Sequence, residues 1–517
     1  MPHLGIQNDE ALFAAGLWDP AGLLYHRRAF GHDVPIMLMS YLGALKCWVY
    51  AAIFRVWEPT QWSIRIPVVA AGGLTVWLFF LLLRRIASER TAVAGCVLLA
   101  ADTSYLLTTT FDWGPVALQH LMLVGGVLLL VVFAQNRWWQ ALAGAAFLFG
   151  AGAWDKALFF WLLGGLAVAL LVIYPREILR LFTPWRCAVA VLGFCLGALP
   201  LLLFNLNAHH RFETFRSNAS YSTSDLRGKA NLVRYSLEGS ALFGWLVAED
   251  YEAPSPQPPG TVVARASAWL STAAGQPRRN LLSYGFLIAL ALTAWLWWRQ
   301  GWKGEVRMLA ATLVFLGVAW IQMALTQNAG GAIHHVVLLW PAPHLVIALA
   351  FGTASRHFRG GAIALAGVTA ILAGSSLLVT NQHYAQMVRN GGGLNWTEAV
   401  YPLARYANNL PARRVYVTDW GILDTLRLLS RGTLPLAVGS DPVSKPALND
   451  ADREVVRTWV SDPGHIFIGH TEGNEFFTGS RKNLLDTAAG LGFRPEFLHV
   501  VPDRHGRRIF EVFRFVR

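Results

Sequence analysis

The chain has 517 residues, 54% hydrophobic and only 14% charged, with a mean hydropathy of +0.40. Soluble globular proteins carry about 25% charged residues, so the composition excludes an ordinary soluble enzyme and points to a membrane protein. The formal charge of +12 sits largely in short loops between apolar runs, which removes the argument for nucleic acid as a partner. The four cysteines, Cys47, Cys96, Cys187 and Cys195, lie in or beside apolar runs and imply no disulfide framework.

In chain order, Asp9-Glu10 follow Asn8, a candidate helix N-cap, and precede an apolar stretch. Acids in a first helical turn suit the helix dipole; a carboxylate at a membrane surface also suits a general base. The run Pro35 to Trp57 contains Lys46 and Arg55 and reads as an amphipathic segment along the interface. Ten apolar runs follow: 67–83, 91–105, 116–134, 138–153, 158–174, 187–206, 281–298, 308–326, 332–350 and 362–380. Several approach the ~20 residues that a bilayer core requires. Trp57, Trp138 and Trp298 flank runs as interface anchors do.

Loop charge sets the orientation. One alternating set of loops holds twelve basic residues, from Arg84 to Arg359, against the acids Glu89, Glu177 and Glu305. The positive-inside rule makes that side cytoplasmic. The other side then carries Asp112, Asp155-Lys156, the loop 207–280, His334-His335 and the tail. If Pro35 to Trp57 does not span, parity places Asp9-Glu10 there too. The tail alternates strand and helix. Strands are expected at 415–418, 436–438, 465–468, 497–501 and 508–515, with helices at 397–410, 422–429, 450–460 and 474–491, giving a small α/β domain. The expected division is 1–66, an acidic motif and interfacial segments; 67–380, the membrane domain; and 381–517, an extracytoplasmic α/β domain.

Lys156 at a span end reads either as a snorkelling anchor or as a cation for a phosphate leaving group. Adjacent His334 and His335 cannot share one helical face, so the pair alone makes no metal site, and one of the two is expected to face a cavity. Arg65, His209, His210, Arg211 and Arg216 are further cations on that side; Arg65 and Arg211 are preferred, because a guanidinium fork matches phosphate geometry.

These motifs, in this order, resemble the type C glycosyltransferases, closest to the protein O-mannosyltransferase and aminoarabinose-transferase superfamily. The resemblance rests on Asn8-Asp9-Glu10-Ala-Leu-Phe-Ala-Ala, on His32-Asp33-Val34-Pro35 ahead of an interfacial helix, and on Trp62-Ser63-Ile64-Arg65-Ile66-Pro67. Thr110-Phe111-Asp112 stands at the family's second acidic position, and Gly152-Ala153-Trp154-Asp155-Lys156 resembles its threonine-lysine, with Asp155 in place of the threonine. The family has a transmembrane helix before the acidic pair. Here Met1 stands only eight residues ahead of Asp9, so the resemblance implies a start further upstream.

The resemblance covers roughly the first 380 residues and implies a polytopic α-helical inner-membrane enzyme, a hexosyl- or pentosyltransferase. It would move sugar from a polyprenyl-phosphate carrier to a lipid, glycan or protein hydroxyl on the extracytoplasmic face, in a single inverting displacement. Asp9 would be the base, while Glu10 and Asp112 orient hydroxyls. Lys156, with Arg65, Arg211, His334 and His335, would hold the donor phosphate. No cofactor and no metal are expected. A lipid-linked-sugar transporter would carry charges near the bilayer midplane or a repeat of its halves, and neither is seen; a non-catalytic glycan-binding scaffold would leave the clustered acids without a task.

Overall fold

The computed structural model describes residues 3–29, 31–253 and 255–517. All ten apolar runs are helical. Among the described residues, five helices are long and apolar enough to cross a membrane: Gln61–Ile86, Val116–Asn136, Gly304–Leu325, Ile333–Ser355 and Gly361–Asn390. The number rises to seven if the bent pairs Phe159–Ile173 with Pro175–Leu181 and Pro184–Gly197 with Leu199–Asn205 each count as one span. The remaining apolar helices, such as Glu89–Ala101 with 13 residues and Trp139–Asp155 with 17, are shorter. By length and composition alone, five to seven of the ten expected spans are thus met among the described residues.

Apolar side chains face outward along these helices. Trp77, Leu171, Val191 and Ile363 are exposed, a surface that a soluble protein would cover and that lipid solvates. Trp57, Trp138 and Trp298 are exposed as well.

The segment Pro35 to Trp57 does not span, but neither is it one amphipathic element. Its first part belongs to the strand His32–Met39, which pairs antiparallel with Tyr25–Ala29 and Leu42–Gly43. The strand buries Ile36 and Met37, which cluster with Ala153 and Trp154 at the end of helix Trp139–Asp155, where the Trp154 indole donates to the Ile36 carbonyl at 2.9 Å. The following helix, Leu45–Ile53, has nine residues, a rise of ~13.5 Å at ~1.5 Å each, less than half a bilayer core. Lys46 is not an interfacial anchor: it is buried.

After Gly361–Asn390 the chain enters an α/β domain. Its five-stranded sheet runs, edge to edge, Leu436–Val438, Arg414–Val417, His465–His470, Arg508–Val516, Arg494–Pro502. The first three strands are parallel, and the last two join antiparallel. Successive side chains in a strand point to opposite faces. Val415 and Val417 therefore pack with helices Val400–Ala407 and Leu423–Leu429, while Tyr416 packs with Asp450–Val460.

The N-terminal segment is gripped between the helical bundle and this domain. Gly5 N–H donates to the Trp396 carbonyl at 2.8 Å, Asp424 N–H to Asn8 Oδ1 at 3.1 Å, and the Thr425 hydroxyl to the Ile6 carbonyl at 3.3 Å.

Candidate active site

Asp9 and Glu10 sit in the one-turn helix Asn8–Ala11. Its N-cap is Gln7, one residue earlier than the sequence suggests. Gln7 Oε1 accepts from the N–H groups of Asp9 at 2.6 Å and Glu10 at 3.2 Å. Asn8 is not the cap because its side chain is taken by Asp424.

The two acids of the pair have different surroundings. Glu10 is buried and gives both carboxylate oxygens to Arg65, which donates from Nε and Nη2 at 2.8 Å each. Arg65 is 0% exposed, also donates to the Leu4 and Gly5 carbonyls, and lies over the Phe111 ring. Glu10 and Arg65, expected respectively at a hydroxyl and at a phosphate, are therefore committed to each other, and neither lines the cavity described below. Their pairing fixes the turn that carries Asp9. Breaking one side of such a buried pair leaves an uncompensated charge and costs ~3–5 kcal/mol. Glu10→Gln should lower the thermal unfolding temperature of the purified protein markedly; an unchanged unfolding curve would show that the pair does not hold this turn.

Asp9 is half-buried and faces a cavity of about 630 Å³. The Trp113 indole donates to its Oδ2 at 3.1 Å. Burial raises the Asp9 pKa above the usual carboxylate range, opposed by the Lys156 ammonium and the Trp113 hydrogen bond.

Lys156 lines the same cavity. It stands just past the C-terminus of helix Trp139–Asp155, where the chain breaks before Phe159–Ile173 and makes a short antiparallel bridge with Leu42. Among the described residues its ammonium makes no hydrogen bond or ion pair. Gly114, at φ +78°, makes room for it: a Cβ there would stand 3.3 Å from Lys156 Nζ. Lys156 is 5% exposed, and a snorkelling lysine would carry its head out to water instead.

His334 and His335 both line the cavity, where the sequence suggests one. They are neighbours in the short helix Ile333–Val336, and their rings meet at 4.1 Å, edge to face. Both Nδ1 atoms are buried and have no hydrogen-bond partner among the described residues, and the Trp113 ring packs on His334 at 4.4 Å.

Asp112 lies behind this wall. It is 1% exposed and bonded to Lys46 Nζ at 2.8 Å, and Lys46 itself lines the cavity. Asp155 also lines it and accepts from Gln119 Nε2 at 2.8 Å. Arg211 is not part of the cavity wall; it is exposed and stacks over its neighbour Phe212. His209 and Arg216 are exposed, and His210 pairs with Glu213. Among the described residues no group of three or more His, Cys, Asp or Glu is placed to hold a metal ion.

Sequence reasoning does not find Lys46, nor the cavity's contribution from the C-terminal domain, Trp420 and Phe476. For Trp420 the available signal is that it follows a predicted strand, where α/β domains place ligand loops; Phe476 falls inside the helix expected at 474–491, which begins only at Ser480.

Residues 43–202 match the family model described as dolichyl-phosphate-mannose-protein mannosyltransferase. No curated protein matches the chain by sequence. Among solved structures, ArnT from Cupriavidus metallidurans bound to undecaprenyl phosphate superposes with a TM-score of 0.59 at 13% identity, covering 98% of this chain and 94% of that one. The Archaeoglobus fulgidus oligosaccharyltransferase in the apo form gives 0.52 at 12% identity over 91% of this chain and 66% of its own. AglB from the same organism, in complex with an inhibitory peptide and a dolichol-phosphate, gives 0.51 at 12% over 94% and 68%. The chain thus has the type C glycosyltransferase membrane fold with a C-terminal α/β domain, and its resemblance to the protein O-mannosyltransferase and aminoarabinose-transferase-like superfamily holds both for the family model and for the fold.

Proposed function

We propose that this protein is an integral-membrane glycosyltransferase. It moves a sugar from a polyprenyl-phosphate carrier to a hydroxyl acceptor on the extracytoplasmic face. One observation carries the reading: a half-buried carboxylate, Asp9, and an ammonium that makes no hydrogen bond or ion pair among the described residues, Lys156, line a single cavity with two histidines. A displacement at a sugar phosphate requires this division of labour, a base on one side and fixed positive charge on the other. The Asp9 carboxylate takes the acceptor proton as the acceptor oxygen bonds to the anomeric carbon. The bond from that carbon to the phosphate oxygen breaks, and lipid phosphate leaves against Lys156, with inversion. His334 and His335 offer ring nitrogens, without hydrogen-bond partners among the described residues, for the remaining phosphate or sugar oxygens. Lys46–Asp112 and Glu10–Arg65 hold the walls. The undecaprenyl phosphate and dolichol-phosphate bound in the similar structures support a lipid-phosphate donor.

Incubation of the purified protein with a panel of polyprenyl-phosphate sugars should release polyprenyl phosphate from at least one donor. No release from any donor, with folded protein, would end the transferase reading.

The face is tested separately. Arg211→Cys introduces an exposed thiol at the end of the bundle that carries Asp9, and Cys187 is an exposed native thiol at the basic end. An impermeant thiol reagent should label position 211 in intact cells and Cys187 only after permeabilisation. The reverse pattern would put the site in the cytoplasm.

A further inference from the structure

The cavity wall opposite the bundle is aromatic and comes from the sheet domain. Trp420 follows strand Arg414–Val417, and Phe476 follows the adjacent parallel strand His465–His470. Both therefore stand beyond the carboxyl ends of neighbouring parallel strands, the position at which open α/β sheets bind ligands. Their rings lie 4.5 Å apart, tilted by 34°, and Phe476 is 49% exposed although apolar.

A single buried carboxylate sets this pair. Asp419, 4% exposed, accepts from the N–H groups of Trp420 at 2.9 Å, Phe476 at 2.8 Å and Phe477 at 3.0 Å, and its Oδ2 is bonded to His470 Nδ1 at 2.6 Å. Four partners around one carboxylate hold two separate loops in one arrangement. A fixed, half-exposed aromatic pair facing a polar cavity is a surface built to be covered.

Resting on the transferase reading, we infer that Trp420 and Phe476 form the acceptor platform, and that the acceptor they select is a saccharide whose ring stacks on them. Aromatic faces carry negative charge density and attract the positive edges of C–H groups, which the flat face of a pyranose presents. Hydroxyls around the ring rim then need planar polar partners. Gln327 and Asn328 line the same cavity, and among the described residues their side-chain amides make no hydrogen bond. A peptide acceptor in extended form would instead call for a strand edge. The edge strands of the sheet, Leu436–Val438 and Arg494–Pro502, contribute nothing to the cavity wall.

The test reads binding and catalysis apart. The full chain is placed in lipid nanodiscs, since a maltoside detergent would itself supply sugar. Saturation-transfer NMR is recorded with mannotriose, chitotriose and, as the competing class, an uncharged hexapeptide. At least one trisaccharide should receive saturation and the peptide none. Phe476→Leu and Trp420→Leu should each weaken saccharide binding by tenfold or more, while Trp420→Phe keeps most of it. The thermal unfolding curve of Phe476→Leu, whose side chain is half in solvent, should match that of the wild type, so that lost binding is not lost fold. Binding of the peptide alone, no saccharide signal in the wild type, or equal binding in the leucine variants would each overturn the platform. Saccharide binding that depends on the rings, in a protein that releases lipid phosphate from no donor, would sink the transferase reading and leave a saccharide site standing.

Discussion

Asp9→Asn leaves a folded protein whose sugar transfer at saturating donor falls ~10²–10⁴-fold, the usual cost of losing a general base. The replacement is isosteric and half-exposed, so folding stability should change little. The amide can still accept from the Trp113 indole, which keeps the geometry and removes only the basicity. The wild-type pH profile carries the same signature. Because burial raises the Asp9 pKa, the active, ionised form is lost as pH falls through a value above the ordinary carboxylate range. The acid limb of the rate profile should therefore lie at higher pH than for an exposed aspartate, and it should vanish in the asparagine variant. Wild-type turnover in Asp9→Asn would remove Asp9 as the base. Asp112 would not simply take over, since its carboxylate is buried and bonded to Lys46.

Lys156→Gln should cost ~10²–10³-fold in the chemical step, the scale seen when one preorganised group facing developing charge is removed. Donor KM should also rise, whereas acceptor KM should not. Lys156→Arg keeps the charge and should retain part of the activity, limited by the tight space at Gly114. A lysine that only anchored a helix end would give a different pattern, with Arg and Gln variants equivalent and any loss tracking expression. Donor kinetics normalised to folded protein separate the two, and equal rates in Arg and Gln would take Lys156 out of the proposed site.

Much of this architecture is legible in sequence because it follows from local periodicity. The apolar runs become helices, and the alternation after Asn390 becomes the strands and helices of the tail within a few residues, since each depends on neighbours in the chain; the exception is the helix expected from 474, which begins at Ser480. Asp9 and Lys156 stand out because a charged residue at the end of an apolar run is conspicuous. Partnership is what local pattern does not contain. Lys46 in an apolar run reads as an anchor until Asp112, 66 positions away, is seen bonded to it. Arg65 reads as a phosphate ligand until Glu10, 55 positions away, takes its guanidinium. Trp420 sits in ordinary loop sequence and Phe476 inside an expected helix, and only the pairing of two parallel strands brings them together. The acidic pair likewise reads as two equivalent carboxylates, although one faces the cavity and the other is locked behind it.

The grip of the sheet domain on the N-terminal segment also has a consequence in time. The turn carrying Asp9 is synthesised well before the residues that anchor it, Trp396, Asp424 and Thr425, the second of these lying 416 positions from Asn8. Contacts at such separation form late, because the intervening chain must be closed first. A ribosome-bound or truncated chain can insert its helices and still lack a positioned base. Newly made protein would thus stay inert toward lipid-linked sugar until the sheet domain has folded, and the onset of turnover would mark the docking of that domain.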